Sequence, residues 1–213
     1  MRIGIYGGSF DPVHLGHLIA AESAREQASL DRVIFVPAAQ SPHKTDRTLA
    51  GAADRLAMLE LATAGHAAFE VSSVELERGG VSYTVETLAE MRGRFPDDQL
   101  VLLLGPDAVR GLASWREPKR IAELAELVTI SRIGLDDVDQ LRDDAKLREL
   151  LGATLLERCV AGCVRMPAVG VRATAIREAV RAGRSIRYLV PAAVATYIQQ
   201  RGLYHNATAD AHG

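Results

Sequence analysis

Most of the parts that would place this chain early in a functional class are missing. Its two cysteines, Cys159 and Cys163, lack the second pair that a structural zinc site needs. A chain of 213 residues buries roughly 70% of its unfolded surface, so it needs no disulfide staple and idle thiols in a reducing compartment are expected. No run of about 18 apolar residues occurs, and no charged-then-apolar leader opens the chain. The expectation is therefore a cytoplasmic protein with no membrane partner. A basic excess is missing too: a formal net charge of -2 argues against a protein that coats phosphate backbones, so no nucleic-acid partner is expected. Neither a GxGxxG fingerprint nor a P-loop ending in GKS or GKT is found. No nucleophile–base pair stands out.

What remains is an ordinary globular composition, 48% hydrophobic and 24% charged. One domain over residues 1–204 is expected, followed by a tail, 205–213, with too little apolar content to pack. Charge is unevenly spread. From Arg158 to Arg187 there are seven arginines and one acid, Glu178, whereas Leu135 to Glu149 holds six acids and three bases. A neutral protein with one concentrated arginine segment suggests a small anionic ligand rather than a polyanion.

Short apolar runs alternate with amphipathic ones. "RIGIY" (2–6), "RVIFVP" (32–37), "FEVSSVEL" (69–76), "QLVLLLG" (99–105) and "LVTISR" (127–132) read as strands. Helical spacing appears at 18–28, 52–64 and 84–95, near Pro106, and again at 118–126. Strands separated by helices of this length predict right-handed crossovers and an α/β fold: a doubly wound, mainly parallel sheet with ligands beyond the carboxyl ends of its strands. The last third, through 136–152, 174–183 and 191–202, predicts a helical C-terminal part.

The most informative stretch is "GIYGGSFDPVHLGHL" (4–18). Gly7 and Gly8 follow the first strand, so backbone there can approach a ligand closely. A helix beginning near Leu15 aims its unpaired N–H groups and the positive end of its dipole at the same spot, which makes an anion site. His14 and His17, three apart, bring their rings to one face above the glycines, and Gly16 removes a side chain between them. Two such imidazoles can hydrogen-bond phosphate oxygens and stabilise charge that builds during transfer.

Other segments carry a structural and a functional reading side by side. In "RGGVSYTVETL" (78–88), Ser82 or Thr84 can serve as a helix N-cap. In "GPDAVRGLASW" (105–115), Asp107 stands at a strand's carboxyl end, suited to a ribose hydroxyl or a metal-bound water. Trp115, the one tryptophan, can fill the core or stack on an aromatic ring. In "VRATAIREAV" (171–180), Thr174 can cap a helix and offer backbone donors to phosphates, and Arg177 can bind them bidentately. Arg172 is either a further charged donor or an idle surface residue, while Arg184 and Arg187 read as a solvated face.

"GGSFDPVHLGH" resembles the HxGH signature of the nucleotidyltransferase superfamily of α/β phosphotransfer enzymes. Within it, Arg2 to about Tyr204 is similar to the bacterial nicotinate mononucleotide adenylyltransferases. The resemblance implies that ATP and nicotinate mononucleotide are the partners, that the products are deamido-NAD and pyrophosphate, and that Mg²⁺ arrives with ATP, with no metal site of the protein's own. It implies catalytic roles for His17, His14 and Lys44. ATP would be held by Gly7, Gly8, Ser9, Phe10, His14, Gly16, His17, Gly105, Asp107, Thr174, Ile176 and Arg177. The mononucleotide would be held by Gln40, His43, Lys44, Tyr83, Thr84, Trp115 and Arg132, with the helix start at Tyr83–Thr84 receiving the nicotinate carboxylate. Three departures stand out: Gln40 where asparagine is frequent, Arg116 where an aromatic often follows the tryptophan, and Arg172–Ala173 where the family's ISSTxIR motif has two serines.

The sequence leaves open a nicotinamide mononucleotide enzyme, a pantetheine-phosphate adenylyltransferase (which usually has threonine at the position of His14) and a non-catalytic nucleotide-binding module. A homo-oligomer is open as well. The missing glycine fingerprint disfavours a dehydrogenase. The inventory suits phosphoryl chemistry, because a phosphate-monoester nucleophile, with a second pKa of about 6, needs positioning and positive charge but no strong base.

Overall fold

A computed structural model describes residues 1–40, 50–134 and 137–205. Six strands form one parallel sheet: β1 (Arg2–Gly8), β2 (Arg32–Pro37), β3 (Phe69–Val71), β4 (Gln99–Leu104), β5 (Glu126–Arg132) and β6 (Val164–Met166), in the order β3-β2-β1-β4-β5-β6. Strands with helices between them must cross over, and the connections lead outward from β1 in both directions. The predicted doubly wound α/β architecture is what the chain adopts.

Alternate strand residues feed two cores. On one face Ile3, Ile5, Ile34, Leu102 and Leu104 pack against α4 (Thr84–Arg94), α6 (Pro118–Leu124) and α7 (Ala145–Ala161). On the other, Val33, Phe35, Val101, Leu103 and Ile130 pack against α1 (Leu15–Gln27), α2 (Ala52–Thr63), α8 (Ala173–Arg181) and α9 (Ala192–Gln200). Helices on both faces explain why β2 and β4 read as continuous apolar runs rather than alternating ones.

Several elements differ; the predicted helix over 136–152, for one, is a short 3-10 helix, Asp139–Asp143, followed by α7 running on to Ala161. The run 69–76 is not one strand: β3 stops at Val71, and a short helix, α3 (Val74–Arg78), follows. β3 is an edge strand, in register only through Val33↔Phe69 to Phe35↔Val71, and Ser72 N–H closes the ladder on the Phe35 carbonyl. β6, at 164–166, is too short to signal itself. In the C-terminal part, Asp144 caps α7 by accepting from the amides of Lys146 and Leu147, both at 3.0 Å. Cys159 and Cys163 remain thiols, and burial pushes that of Cys159 up to about 11. Among the described residues no helix is long and apolar enough to cross a membrane.

The register at the centre of the sheet makes the site. β1 pairs with β4 only as far as Ile5↔Leu102, but with β2 as far as Gly8↔Pro37. From Tyr6 to Gly8 the β4-side edge of β1 therefore faces a cleft, at the point where the winding reverses.

Candidate active site

The turn after β1 is built around an aromatic ring. Phe10 takes a left-handed backbone (φ 46), at a cost of roughly 1–2 kcal/mol for a residue with a side chain. That conformation drives its ring into the core, 2% exposed, edge-on to Tyr6, Phe35 and His17 at 5.7, 5.8 and 5.1 Å between centroids. A side chain on Gly8 would come within 3.0 Å of the Phe10 ring, and one on Gly16 within 3.1 Å of the His14 ring, whereas at Gly7 the space is open. Gly8 and Gly16 thus make room for the protein's own rings; Gly7 is the glycine that leaves backbone bare to the cleft. The side chain that Gly16 lacks is thus space taken by the His14 ring.

His14 is the N-cap of α1, and its ring stacks on that of His17 at 3.7 Å and 20° between planes. His14 is 7% exposed, and burial pulls its imidazole from 6.5 down to about 4, so it is neutral at neutral pH. Its Nδ1 is buried without a hydrogen-bond partner among the described residues. His17 Nδ1 accepts from the His14 backbone N–H at 3.2 Å, so neutral His17 carries its proton on Nε2. The helix end is not wholly open, because the Leu15 amide donates to the Leu189 carbonyl at 3.0 Å.

A polar frame that the sequence did not announce fixes this turn. Asp11, 2% exposed, accepts on Oδ1 from the Tyr204 hydroxyl at 2.7 Å and the Ala50 amide at 3.1 Å. Burial and the Asp11 charge raise the Tyr204 phenol far above its ordinary value. Arg177 Nη1 donates to the Asp11 carbonyl at 2.6 Å and lies 3.4 Å from Oδ2. Arg55, also 2% exposed, donates to the carbonyls of Ala38 (2.7 Å), Ser9 (3.0 Å), Ala50 (3.1 Å) and Ala39 (3.4 Å). Burial lowers its pKa from the usual arginine value. Such a guanidinium ties the anion turn to the segments leaving β2 and entering α2. Arg55 did have a signal, since it shares a helix face with Met58 and Leu59, where a solvated arginine does not belong.

Two chambers open at the strand ends and share Tyr6 and Gly105. One, of about 370 Å³, has Gly7, Ser82, Tyr83, Thr84, Trp115 and Arg116 in its wall. The other, of about 240 Å³, has His14, Gly16, His17, Asp107, Arg132 and Val171. Gly105 caps α5 (Pro106–Gly111), and the Asp107 side chain is 98% exposed, 3.0 Å from Arg110. Trp115 packs on the core and also lines the larger chamber. Ser9 lines that chamber too.

Several expected roles shift. The N-cap of α4 is Tyr83 rather than Ser82 or Thr84, and Ser82 Oγ instead accepts from the Ala39 amide at 3.0 Å. Gln40 is exposed, its carbonyl accepting from the Ser82 amide at 2.9 Å. Arg172, not Thr174, is the N-cap of α8, and Thr174 Oγ1 accepts from Arg177 Nη2 at 3.3 Å. Ile176 and Phe10 are core side chains, 0% and 2% exposed, so neither side chain reaches a ligand. The Ile176 amide is bonded to the Arg172 carbonyl. Arg177 faces Asp11 rather than the chambers. His43 and Lys44 lie outside the described residues, as does the tail from 206 onward.

Comparison with known proteins gives a consistent result. The cytidylyltransferase-like family model matches residues 5–179. A protein named "Probable nicotinate-nucleotide adenylyltransferase" from Thermomicrobium roseum is 43% identical over 208 residues, 98% of this chain and 94% of that one. One of the same name from Thermus thermophilus is 45% identical over 206 residues, 96% and 100% of the two chains. Among solved structures, Plasmodium falciparum nicotinic acid mononucleotide adenylyltransferase complexed with NaAD shares the fold with a TM-score of 0.72 at 16% identity, covering 95% of this chain and 97% of that one.

Proposed function

Because the chain belongs to the nicotinate-nucleotide adenylyltransferases, within the cytidylyltransferase-like family, we propose how its own residues move the adenylyl group of ATP onto nicotinate mononucleotide. The enzyme's reaction yields deamido-NAD and pyrophosphate. The observation that carries the assignment of parts is the pair of chambers meeting at Tyr6 and Gly105, with the histidine turn along one of them.

The attacking group is the mononucleotide phosphate, already ionised near neutral pH with a second pKa of about 6. Its oxygen forms a bond to the α-phosphorus of ATP as the bond to the β-phosphate bridge breaks, and pyrophosphate leaves with that electron pair. No side chain has to remove a proton. What the chain supplies is position and positive polarity. The bare backbone at Gly7 and the start of α1 receive phosphate oxygens. His17, with its proton on Nε2, donates to the oxygen on which charge builds. Neutral His14 braces that ring by stacking and presents its unpartnered Nδ1. The larger chamber takes the pyridine ring, with Trp115 as the plate and the amides at Tyr83–Thr84 toward the carboxylate; Arg132, expected with the mononucleotide, lines the smaller chamber instead, which takes adenosine. His43 and Lys44, outside the described residues, would add positive charge for the phosphates, and Gln40 an amide for the mononucleotide. Arg177, with Thr174, holds the turn through Asp11, and Arg172 is left to meet the outer phosphates.

The donor set fits Mg²⁺ that arrives with ATP and keeps its waters: a single exposed carboxylate, Asp107, stands in the imidazole chamber. Bound there, the ion would neutralise charge on the triphosphate. The reading places the enzyme in the cytoplasm. Its test is direct: purified protein, ATP and Mg²⁺ with each mononucleotide in turn, following pyrophosphate. Release with nicotinate mononucleotide is expected; ATP binding without product from any mononucleotide would reduce the protein to a binding module.

A further inference from the structure

Two of the residues lining the larger chamber carry formal charge, Glu75 and Arg116. Glu75 is 7% exposed and is compensated from behind. Its Oε1 accepts from the Thr87 hydroxyl at 2.5 Å, and that hydroxyl accepts from Arg78 Nη2 at 3.0 Å. Arg116 is held differently. Its guanidinium carbon lies 4.7 Å over the centre of the Tyr83 ring, and its Nη1 donates to Glu86 Oε1 at 2.8 Å. A cation–π contact and a hydrogen-bonded ion pair together fix a side chain that would otherwise sample many rotamers. The two anchors are the N-cap and a first-turn residue of α4, so the fork is pinned beside the amides of that helix end. Tyr83 makes no side-chain cap bond there, which leaves the helix's positive end toward the chamber.

We propose that Arg116 is the specificity-determining residue of this chamber, selecting a mononucleotide whose pyridine ring bears a carboxylate over one bearing a carboxamide. The inference rests on the reading of this chamber as the pyridine site. A fixed cation and a helix N-terminus converging on one place reward a full negative charge, whereas a neutral amide gains only ordinary dipolar contacts. Glu86, and Glu117 at 3.8 Å from Nε, cancel part of the guanidinium's field. That makes the preference adjustable in both directions, which a purely structural arginine would not be.

The experiment measures kcat/KM for nicotinate mononucleotide and for nicotinamide mononucleotide on the same preparations of wild type, Arg116→Gln, Arg116→Lys and Glu86→Gln. Loss of folded protein cancels in the ratio of the two. Arg116→Gln should lower the acid-to-amide ratio about tenfold, the difference between a charge-assisted and a neutral hydrogen bond. Arg116→Lys should retain part of the ratio, since it keeps the charge but loses the planar fork. Glu86→Gln should raise the ratio by unmasking the cation. A ratio unmoved in Arg116→Gln, or equal losses on both substrates, overturns the proposal while the reading of the chamber stands. A wild-type chain that adenylylates neither mononucleotide overturns both.

Discussion

The two chambers lie on either side of the same strand ends, yet their walls are made differently. The ring chamber is bounded by side chains, with Trp115, Tyr83 and Arg116 placed by the packing of α4 and the segment after α5. The imidazole chamber is bounded by a turn whose backbone is tied down from beneath by Arg55, Asp11, Arg177 and Tyr204. The difference follows from what each must recognise. A flat ring is recognised by surfaces, and small changes of side chain tune the choice. A transferring phosphate is recognised by donors held still while charge moves, so the precision has to sit in the frame.

The comparison can be broken most forcefully from below. Arg55→Met removes the donor shared by four backbone carbonyls and should cost roughly 3–5 kcal/mol in urea unfolding. A loss under about 1 kcal/mol would mean that the frame is dispensable. His17→Ala should lower kcat by roughly 10²–10³, or about 3–4 kcal/mol, while the KM for the mononucleotide changes little. A larger change in that KM than in kcat would move His17 to the other chamber.

The third prediction concerns pH. Burial holds the folded-state His14 near 4 against 6.5 when unfolded, so folding favours the neutral ring. The associated stability is fully present above pH 6.5 and is lost as pH falls toward 4. The total is about 3 kcal/mol by linkage. Denaturation midpoints across that range should slope for the native chain, and the slope should flatten in His14→Ala; an unchanged slope would reassign it to other groups. The smallest effect sharpens the contrast. Trp115→Ala should raise the KM for the mononucleotide about tenfold, near 1.4 kcal/mol, with the KM for ATP unmoved. Equal increases in both would mean that the chambers do not divide the substrates.

Much of the sheet was legible because β1, β2, β4 and β5 are runs of apolar residues long enough to stand out. β3 and β6, at three residues each, carry no period, and the start of α3, residues 74–76, reads as strand because its apolar residues continue one. The turn itself was legible as chemistry, but its frame was not. Asp11 and Tyr204 are 193 residues apart, and Asp11 and Arg177 are 166 apart, so their pairing is a product of the sheet and appears in no local pattern. Arg177 illustrates the consequence. Its motif suggested a phosphate ligand, and the fold gives it a buried carboxylate to hold. Gly8 and Gly16 teach the same lesson at shorter range, since the rings they accommodate belong to Phe10 and His14.

The measurement that tests the division of the cleft most directly is a crystal structure of the chain with deamido-NAD bound. The pyridine ring should lie against Trp115, the adenine beside Arg132 and Val171, and the bridging phosphates over Gly7 within hydrogen-bond reach of His17 Nε2. A dinucleotide lying the other way round, or phosphates bound away from the histidines, would contradict the assignment.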